Sequence, residues 1–329
     1  MARLIDTATV ERYLTVDLAF TAMRTCFTLE ASGASGPVGR MDLPHNTGWM
    51  RVLPAVSAGL GVFGHKMISF HREVGVRYII TLYDLESGDL VALLDGEAIT
   101  GARTGATAAL AADLLAPPTI EKGAVIGTGS VARWQLAALQ AVRPVEELRV
   151  FSRRPEHRAG FINEMQPTLD VPLVDCASLD AALDGVGIAT LATKSPGPVF
   201  FTRHLAAAIH VNSVGSARPN LSEVDPGAFS GFDRVVCDSV ELVFNESGDA
   251  IAAETMGLYD RADALDLAAV LDPAPTRARD DMTLFKSTGT GLQDLALAVA
   301  ILDAAAADGA GTVVEDLLAL KRFGPGGRT

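Results

Sequence analysis

The stretch Ala124-Val125-Ile126-Gly127-Thr128-Gly129-Ser130-Val131-Ala132 decides the fold. An apolar strand runs into a G-x-G-x-x-A turn, and a helical pattern begins at about Val131. Gly127 permits the tight turn, Gly129 lets the backbone approach a pyrophosphate, and Ala132 lets the helix lie close on the strand. Thr128, Ser130 and Val131 complete a loop at the positive end of that helix, where a pyrophosphate would sit. The pattern is weak alone, but a second strand–helix unit follows at the expected distance. Its strand, Leu148-Arg149-Val150-Phe151, ends in Ser152-Arg153-Arg154. NAD-binding units place Asp or Glu there to engage the ribose hydroxyls, and an acid would repel a 2′-phosphate. Serine and arginine hydrogen-bond and neutralise one instead. The expected cofactor is NADP(H), with NAD(H) as the alternative if Arg153 and Arg154 are only solvated loop charges.

Outward from this unit, short apolar runs alternate with helical stretches, at residues 123–127, 148–152, 171–174, 188–192, 210–214 and 234–237. Such runs suit parallel strands covered on both faces. Residues 118–292 are therefore expected to form an α/β, doubly wound Rossmann-type sheet. The chain before Pro117-Pro118 reads differently. A helix is expected over 16–29, strand patterns follow at 49–53, 63–70, 77–83 and 90–94, and Asp84-Leu85-Glu86-Ser87-Gly88-Asp89 reads as a hairpin turn. Thr100 is expected to cap an Ala-rich helix ending at Leu115, with Arg103 in its first turn. The apolar helix from about residue 293 is expected to pack back on this first block. Residues 1–117 and 293–329 then make one discontinuous α+β domain.

The chain has 329 residues, enough for about two domains. Its 27 Lys and Arg against 40 Asp and Glu give a net charge of −13. Such a surface repels phosphate backbones, so nucleic acid is not expected as a partner. Cys26, Cys176 and Cys237 lie far apart with no CxxC pair, which argues for a reducing, cytoplasmic setting and against structural zinc. The opening residues alternate charged and apolar without a leader-like core. Asp294 and Asp303 interrupt the longest apolar run, which reads as a buried helix and not a membrane span. The histidines show no metal-ligand spacing and no G-x-S-x-G elbow occurs, so neither a metal centre nor a serine hydrolase is expected.

Arg40, Arg51, Lys66 and Arg103 stand out in the first block. Each taken singly reads as a surface charge. Together, in an acidic chain, they suit an anionic substrate, most simply a carboxylate. Spacing alone does not bring them together.

A set of ordered segments supplies that geometry. Leu53-Pro54-Ala55, Gly64-His65-Lys66, Leu85-Glu86-Ser87-Gly88, Asp95-Gly96-Glu97-Ala98-Ile99-Thr100-Gly101-Ala102-Arg103-Thr104 and the glycine turn come first. Asn212-Ser213-Val214-Gly215-Ser216, Cys237-Asp238-Ser239, Glu246-Ser247-Gly248-Asp249, Leu284-Phe285-Lys286-Ser287-Thr288-Gly289 and Gln293-Asp294-Leu295 follow. Over roughly residues 40–300 the chain resembles the ornithine cyclodeaminase/μ-crystallin family, which also contains alanine dehydrogenases and ketimine reductases. The Thr-Gly-Ala-Arg-Thr and Phe-Lys-Ser-Thr-Gly segments are the more specific matches. The resemblance implies a bilobal homodimer, in which the outer segments bind a small carboxylate-bearing substrate and dimerise. By motif position it implies carboxylate binding by Lys66 and Arg103, with Arg40 a looser match. It also implies cofactor contacts from Thr104, Val214, Gly215, Lys286 and Ser287.

Two departures from the family's cyclodeaminases bear on the chemistry. Those enzymes carry a glutamate just before the Leu/Met-Pro pair, where this chain has Arg51. They also carry an acid two positions after a glycine, where Gly215-Ser216-Ala217-Arg218-Pro219 has Ala217. A methyl group neither accepts a proton nor holds an ammonium. The segment looks closer to ketimine reductases and μ-crystallin, and Arg51 is similar to the carboxylate-binding arginine of the family's alanine dehydrogenases. The activity implied is hydride transfer from NADPH at the α-carbon of a small amino or imino acid. Arg51 and Arg103 would fix the carboxylate with help from Arg40, and Lys66, its pKa depressed by neighbouring cations, would relay the proton. Two alternatives stay open: an ammonia lyase that uses NAD catalytically, and a protein that binds NADP(H) and an anionic ligand without turnover. Arg51 serves either the α-carboxylate or a second acidic group.

Overall fold

Strands β1 (Ala2–Ile5), β2 (Met41–His45), β3 (Gly48–Ser57), β4 (Val62–His71), β5 (Gly75–Asp84) and β6 (Leu90–Asp95) share one seven-stranded sheet. From β2 to β6 it is an antiparallel meander. A second sheet of eight strands holds β7 (Ile120–Ile126), β8 (Val145–Phe151), β9 (Leu173–Asp175), β10 (Ile188–Leu191), β11 (His210–Ser213), β12 (Arg234–Cys237), β13 (Leu265–Asp266) and β14 (Thr283–Lys286). The chain then returns to the first sheet, where β15 (Thr312–Val314) pairs with β1. The computed structural model describes residues 1–36, 39–271, 278, 280–315 and 317–318.

The second sheet is parallel throughout, in the order β13-β12-β14-β11-β10-β7-β8-β9. Its strands are buried on both faces, as in Ile188–Leu191 and His210–Ser213, because helices cover both sides. The strand order reverses between β10 and β7, the switch point at which open α/β sheets leave a ligand crevice. The α/β, doubly wound expectation for this region is thus met. One central strand escapes the sequence pattern: β14 lies between β11 and β12, in a segment for which no strand was expected.

Nine helices are seen among the described residues: α1 (Thr7–Tyr13), α2 (Val16–Ala31), α3 (Glu97–Leu115), α4 (Ser130–Val142), α5 (Pro155–Met165), α6 (Leu179–Leu183), α7 (Val240–Glu246), α8 (Gly248–Thr255) and α9 (Gly291–Ala307). Among the described residues none is long and apolar enough to cross a membrane. Leu292, Leu295, Leu297 and Ile301 of α9 share a core with Met23 of α2 and with Ile80, Leu82 and Leu94 of the first sheet. The late helix therefore completes the early sheet, as its apolar run suggests.

Helix α3 joins the two sheets. It is built from small residues and buried nearly all round, as a central helix must be. Gly101 and Gly105, four apart, present one face to α4. A Cβ at Gly105 would lie 2.6 Å from the Trp134 carbonyl carbon, so α4 touches bare backbone there. The helix begins earlier than Thr100: Gly96 is its N-cap, and Thr100 donates to the Gly96 carbonyl at 2.7 Å from inside the first turns. Gly96 supplies no side-chain acceptor, so the threonine serves as an internal residue instead. Gly105→Val forces α3 and α4 apart and is expected to cost about 1–3 kcal/mol, read as a lower urea midpoint at an unchanged slope.

Candidate active site

Side chains of residues directly opposed in adjacent strands share a face, so the register of the meander sorts the first sheet. Asp42, Arg51, Ile68 and Tyr78 form one row across β2 to β5. Leu53, Lys66, Ile80 and Leu94 form another row on the same face, two residues along. Arg51 and Lys66 therefore face the same way, toward α3 and α9, which deliver Arg103 and Asp294.

Lys66 is fully buried, with Nζ 2.7 Å from Asp294 Oδ2 and donating to Thr100 Oγ1 at 3.2 Å. Arg103 donates from Nε to Asp294 Oδ1 at 3.0 Å and from Nη1 to Gln293 Oε1 at 3.0 Å. One buried carboxylate thus serves two buried cations. Burial drives the Lys66 pKa down to about 7; Asp294 opposes that shift, and Arg103 and Arg40 reinforce it. The other two predicted cations each hold a carboxylate of their own. Arg40 Nη2 lies 2.5 Å from Glu246 and donates to the carbonyls of Thr288 and Gly289. Arg51 makes a bidentate pair with Asp42, both bonds at 2.6 Å.

Beside this cluster a cleft of about 520 Å³ separates the sheets. Gly127, Thr128, Gly129, Ser130 and Val131 line it from the β7–α4 turn, Ser152, Arg153 and Arg154 from the end of β8, and Val214 and Gly215 from the end of β11. Gly127 has φ +112°, and a Cβ there would lie 2.3 Å from the Ala192 carbonyl oxygen. A Cβ at Gly129 would meet nothing within 4 Å, leaving open space where the motif calls for a pyrophosphate. Gly129 is also the N-cap of α4 and supplies no side-chain cap, so the first helical amides are free for an anion. The residues fit a dinucleotide. Among the described residues Glu97 is the only acid in the lining; His157 and Lys194 add to the basic set, and neither was legible as a site residue.

Three residues expected to contact the cofactor, Thr104, Lys286 and Ser287, lie outside the lining of the cleft. Thr104 is buried and donates to the Thr100 carbonyl at 2.7 Å; Thr100 and Gly101, one turn earlier, line the cleft in its place. Lys286, the last residue of a central strand, is fully buried, 3.0 Å from Asp249, and donates to Ser213 Oγ and Ser216 Oγ. A buried ammonium needs a carboxylate, and Asp249 is the one supplied. Ser287 likewise turns inward and donates to Asp238 Oδ2 at 2.7 Å.

Two carboxylates to which the sequence assigned no role, Asp238 and Glu223, hold the loops. Asp238 accepts from the amides of Ser239, Thr288 and Gly289 and from Gln293 Nε2, so it fixes the segment leading into α9. Glu223 accepts from the amides of Thr193 and Gly215 and from Ser213 Oγ, tying two walls of the cleft together. Asp294 itself sits in a quoted motif but reads there only as a charge within an apolar helix.

The family model of the ornithine cyclodeaminase/mu-crystallin family matches residues 2–309. A Delta(1)-pyrroline-2-carboxylate reductase of Bacillus cereus is 29% identical over 273 residues, covering 80% of this chain and 84% of that protein. The ketimine reductase mu-crystallin of Mus musculus is 28% identical over 288 residues, covering 83% of this chain and 88% of that protein. A solved Delta(1)-pyrroline-2-carboxylate reductase of Thermococcus litoralis, in complex with NADH and L-proline, superposes with a TM-score of 0.90 at 27% identity. That match covers 95% of this chain and 100% of the other.

Removing a partner from a buried ion pair strands the charge left behind, at about 3–5 kcal/mol. Asp294→Ala strands two, so it is expected to lose at least that much stability by equilibrium denaturation. A loss below about 1 kcal/mol would show that Lys66 and Arg103 find other partners.

Proposed function

The chain belongs to the ornithine cyclodeaminase/mu-crystallin family, and on that premise we propose that it is a nicotinamide-dependent oxidoreductase that reduces the C=N bond of a small α-imino acid. The observation that carries this reading is the pairing of two cations, Lys66 and Arg103, with a single carboxylate one hydrogen bond behind a cleft-lining threonine. Where cations outnumber the acids that neutralise them, an anionic substrate completes the balance. When bound, the reduced nicotinamide supplies the hydride.

The protein's part is to hold and protonate. Arg103 and Lys66 receive the α-carboxylate, and Lys66 delivers a proton to the imine nitrogen from a pKa of about 7. Arg40 and Arg51 are each neutralised by an acid of their own, which leaves Lys66 and Arg103 as the pair for the substrate. Ser152, Arg153 and Arg154, with no acid among them, favour a 2′-phosphate and hence NADP(H). The lyase alternative lacks a group able to accept a proton or hold the amine at Ala217. A homodimer is part of the same reading, supported by the exposed Met41, Leu43, Val74 and Val76 on the meander. So is a cytoplasmic setting, which suits the free thiols of Cys26, Cys176 and Cys237.

Imine reduction needs protonated Lys66, so kcat for reduction is expected to fall as pH rises through about 7 and kcat for the reverse oxidation to rise. Lys66→Met should lower kcat by about 10²–10⁴ and abolish that inflection while dinucleotide binding persists. Retained turnover removes Lys66 from the chemistry, and NADPH that is not consumed in net turnover supports the lyase instead. Replacing Arg153 and Arg154 by Ser is expected to lower the ratio of kcat/KM for NADPH over NADH by about tenfold or more, measured in initial rates.

A further inference from the structure

Arg218 takes no part in the reaction as described. It lies in the loop after β11, three residues past the cleft-lining Gly215. Its carbonyl accepts from the amides of Leu221 and Gly248, at 3.0 and 3.3 Å, so its backbone is fixed. The side chain reaches from the parallel sheet to the meander, where its guanidinium lies over the Trp49 ring, 4.2 Å from the centroid. Trp49 is itself stacked on its cross-strand partner Phe70 at 5.6 Å. A guanidinium stacked on an aromatic face keeps its edge free, and that edge carries the donors that match a carboxylate in bidentate fashion.

Arg218 is half-buried, yet among the described residues no carboxylate lies within ion-pair distance of it. Asp42 attracts it, but both Asp42 oxygens are already taken by Arg51. Burial and the charge of Arg51 push its pKa down, as expected for a cation lacking a partner. Arg51 and Trp49 are neighbours on one face of β3, and the Arg51 row stands two residues, about 7 Å, from the Lys66 row. Tyr78, opposite Ile68 in the Arg51 row, lines the cofactor cleft and feels the charge of Arg218. Two places on this wall therefore carry positive charge in excess of their acids: Lys66 with Arg103, and Arg218.

We infer that Arg218, on its Trp49 platform, receives a second carboxylate of the substrate, so that the imino acid taken here is a diacid. The inference rests on the reductase reading above and narrows it. The α-carboxylate goes to Lys66 and Arg103, and the distal carboxylate to the free edge of Arg218.

The test uses the NADPH-loaded full chain and imines formed from ammonia with oxaloacetate or 2-oxoglutarate, against those from pyruvate or 2-oxobutanoate. The wild type is expected to favour the diacids in kcat/KM. Arg218→Met should lower that preference by about 10- to 100-fold, chiefly through KM, and Arg218→Lys should restore part of it. Succinate and propionate, titrated into the same loaded protein, read the discrimination without turnover. Succinate should bind more tightly, and Arg218→Met should erase the difference. Equal handling of both acid classes by the wild type, or a loss in Arg218→Met that is the same for both, overturns the assignment. So does a weakened affinity of that variant for NADPH itself, which would place Arg218 on the cofactor. If succinate is preferred but no imine is reduced, the reductase reading falls and the subsite stands. Reduction without discrimination does the reverse.

Discussion

A single carboxylate, Asp294, joins three elements that are distant in sequence: β4 through Lys66, α3 through Arg103, and its own helix α9. None of the three groups would tolerate burial alone, since an isolated buried charge costs several kcal/mol. Together they are tolerated, and the geometry that results is rigid. Gly289, at φ +79°, admits the Arg103 guanidinium where a Cβ would lie 2.3 Å from Nη1. Asp238 holds that same segment through its backbone amides. The site is therefore a consequence of how the core settles its charges, and the cleft is fitted against it.

The middle of the chain was legible because its signals are local. Gly127 to Ala132 and the apolar runs on either side each declare their structure within a few residues. Four strands of the meander were legible for the same reason, but β2 was not read at all and β3 is ten residues long where the pattern marked only 49–53. What stayed hidden was partnership across sequence. Lys286 reads as a pocket lysine until Asp249 is seen beside it, and nothing in either segment announces the other. Asp294 reads as an interruption of an apolar helix, because its two cations lie 228 and 191 residues earlier. Thr100 has the chemistry of a cap, but the turn of chain at Gly96 placed the helix start one turn sooner. Which of the first block's cations are already neutralised is decided by Asp42 and Glu246, to which the sequence assigned no role.

The carboxylates divide the labour. Asp238 and Glu223 hold backbone amides, and so fix loops without attracting a ligand's charge. Asp42 and Glu246 cancel one arginine each. At Asp294 two buried cations share one carboxylate, and Arg218 stands on an aromatic ring. An acidic protein thus keeps a basic hollow by spending its acids unevenly, and the sheet register decides where the imbalance falls.

The placement of α9 has a consequence for biosynthesis. Its leucines belong to the same core as β4, β5 and α2, yet they leave the ribosome after the entire parallel sheet. The parallel sheet, whose strands are contiguous in the chain from β7 to β14, is complete when the meander still lacks one wall of its interior. During that interval the meander exposes the apolar face that α9 will cover, together with the lysine and arginine that await Asp294. Transiently exposed apolar surface of this kind favours self-association and is what chaperones cover.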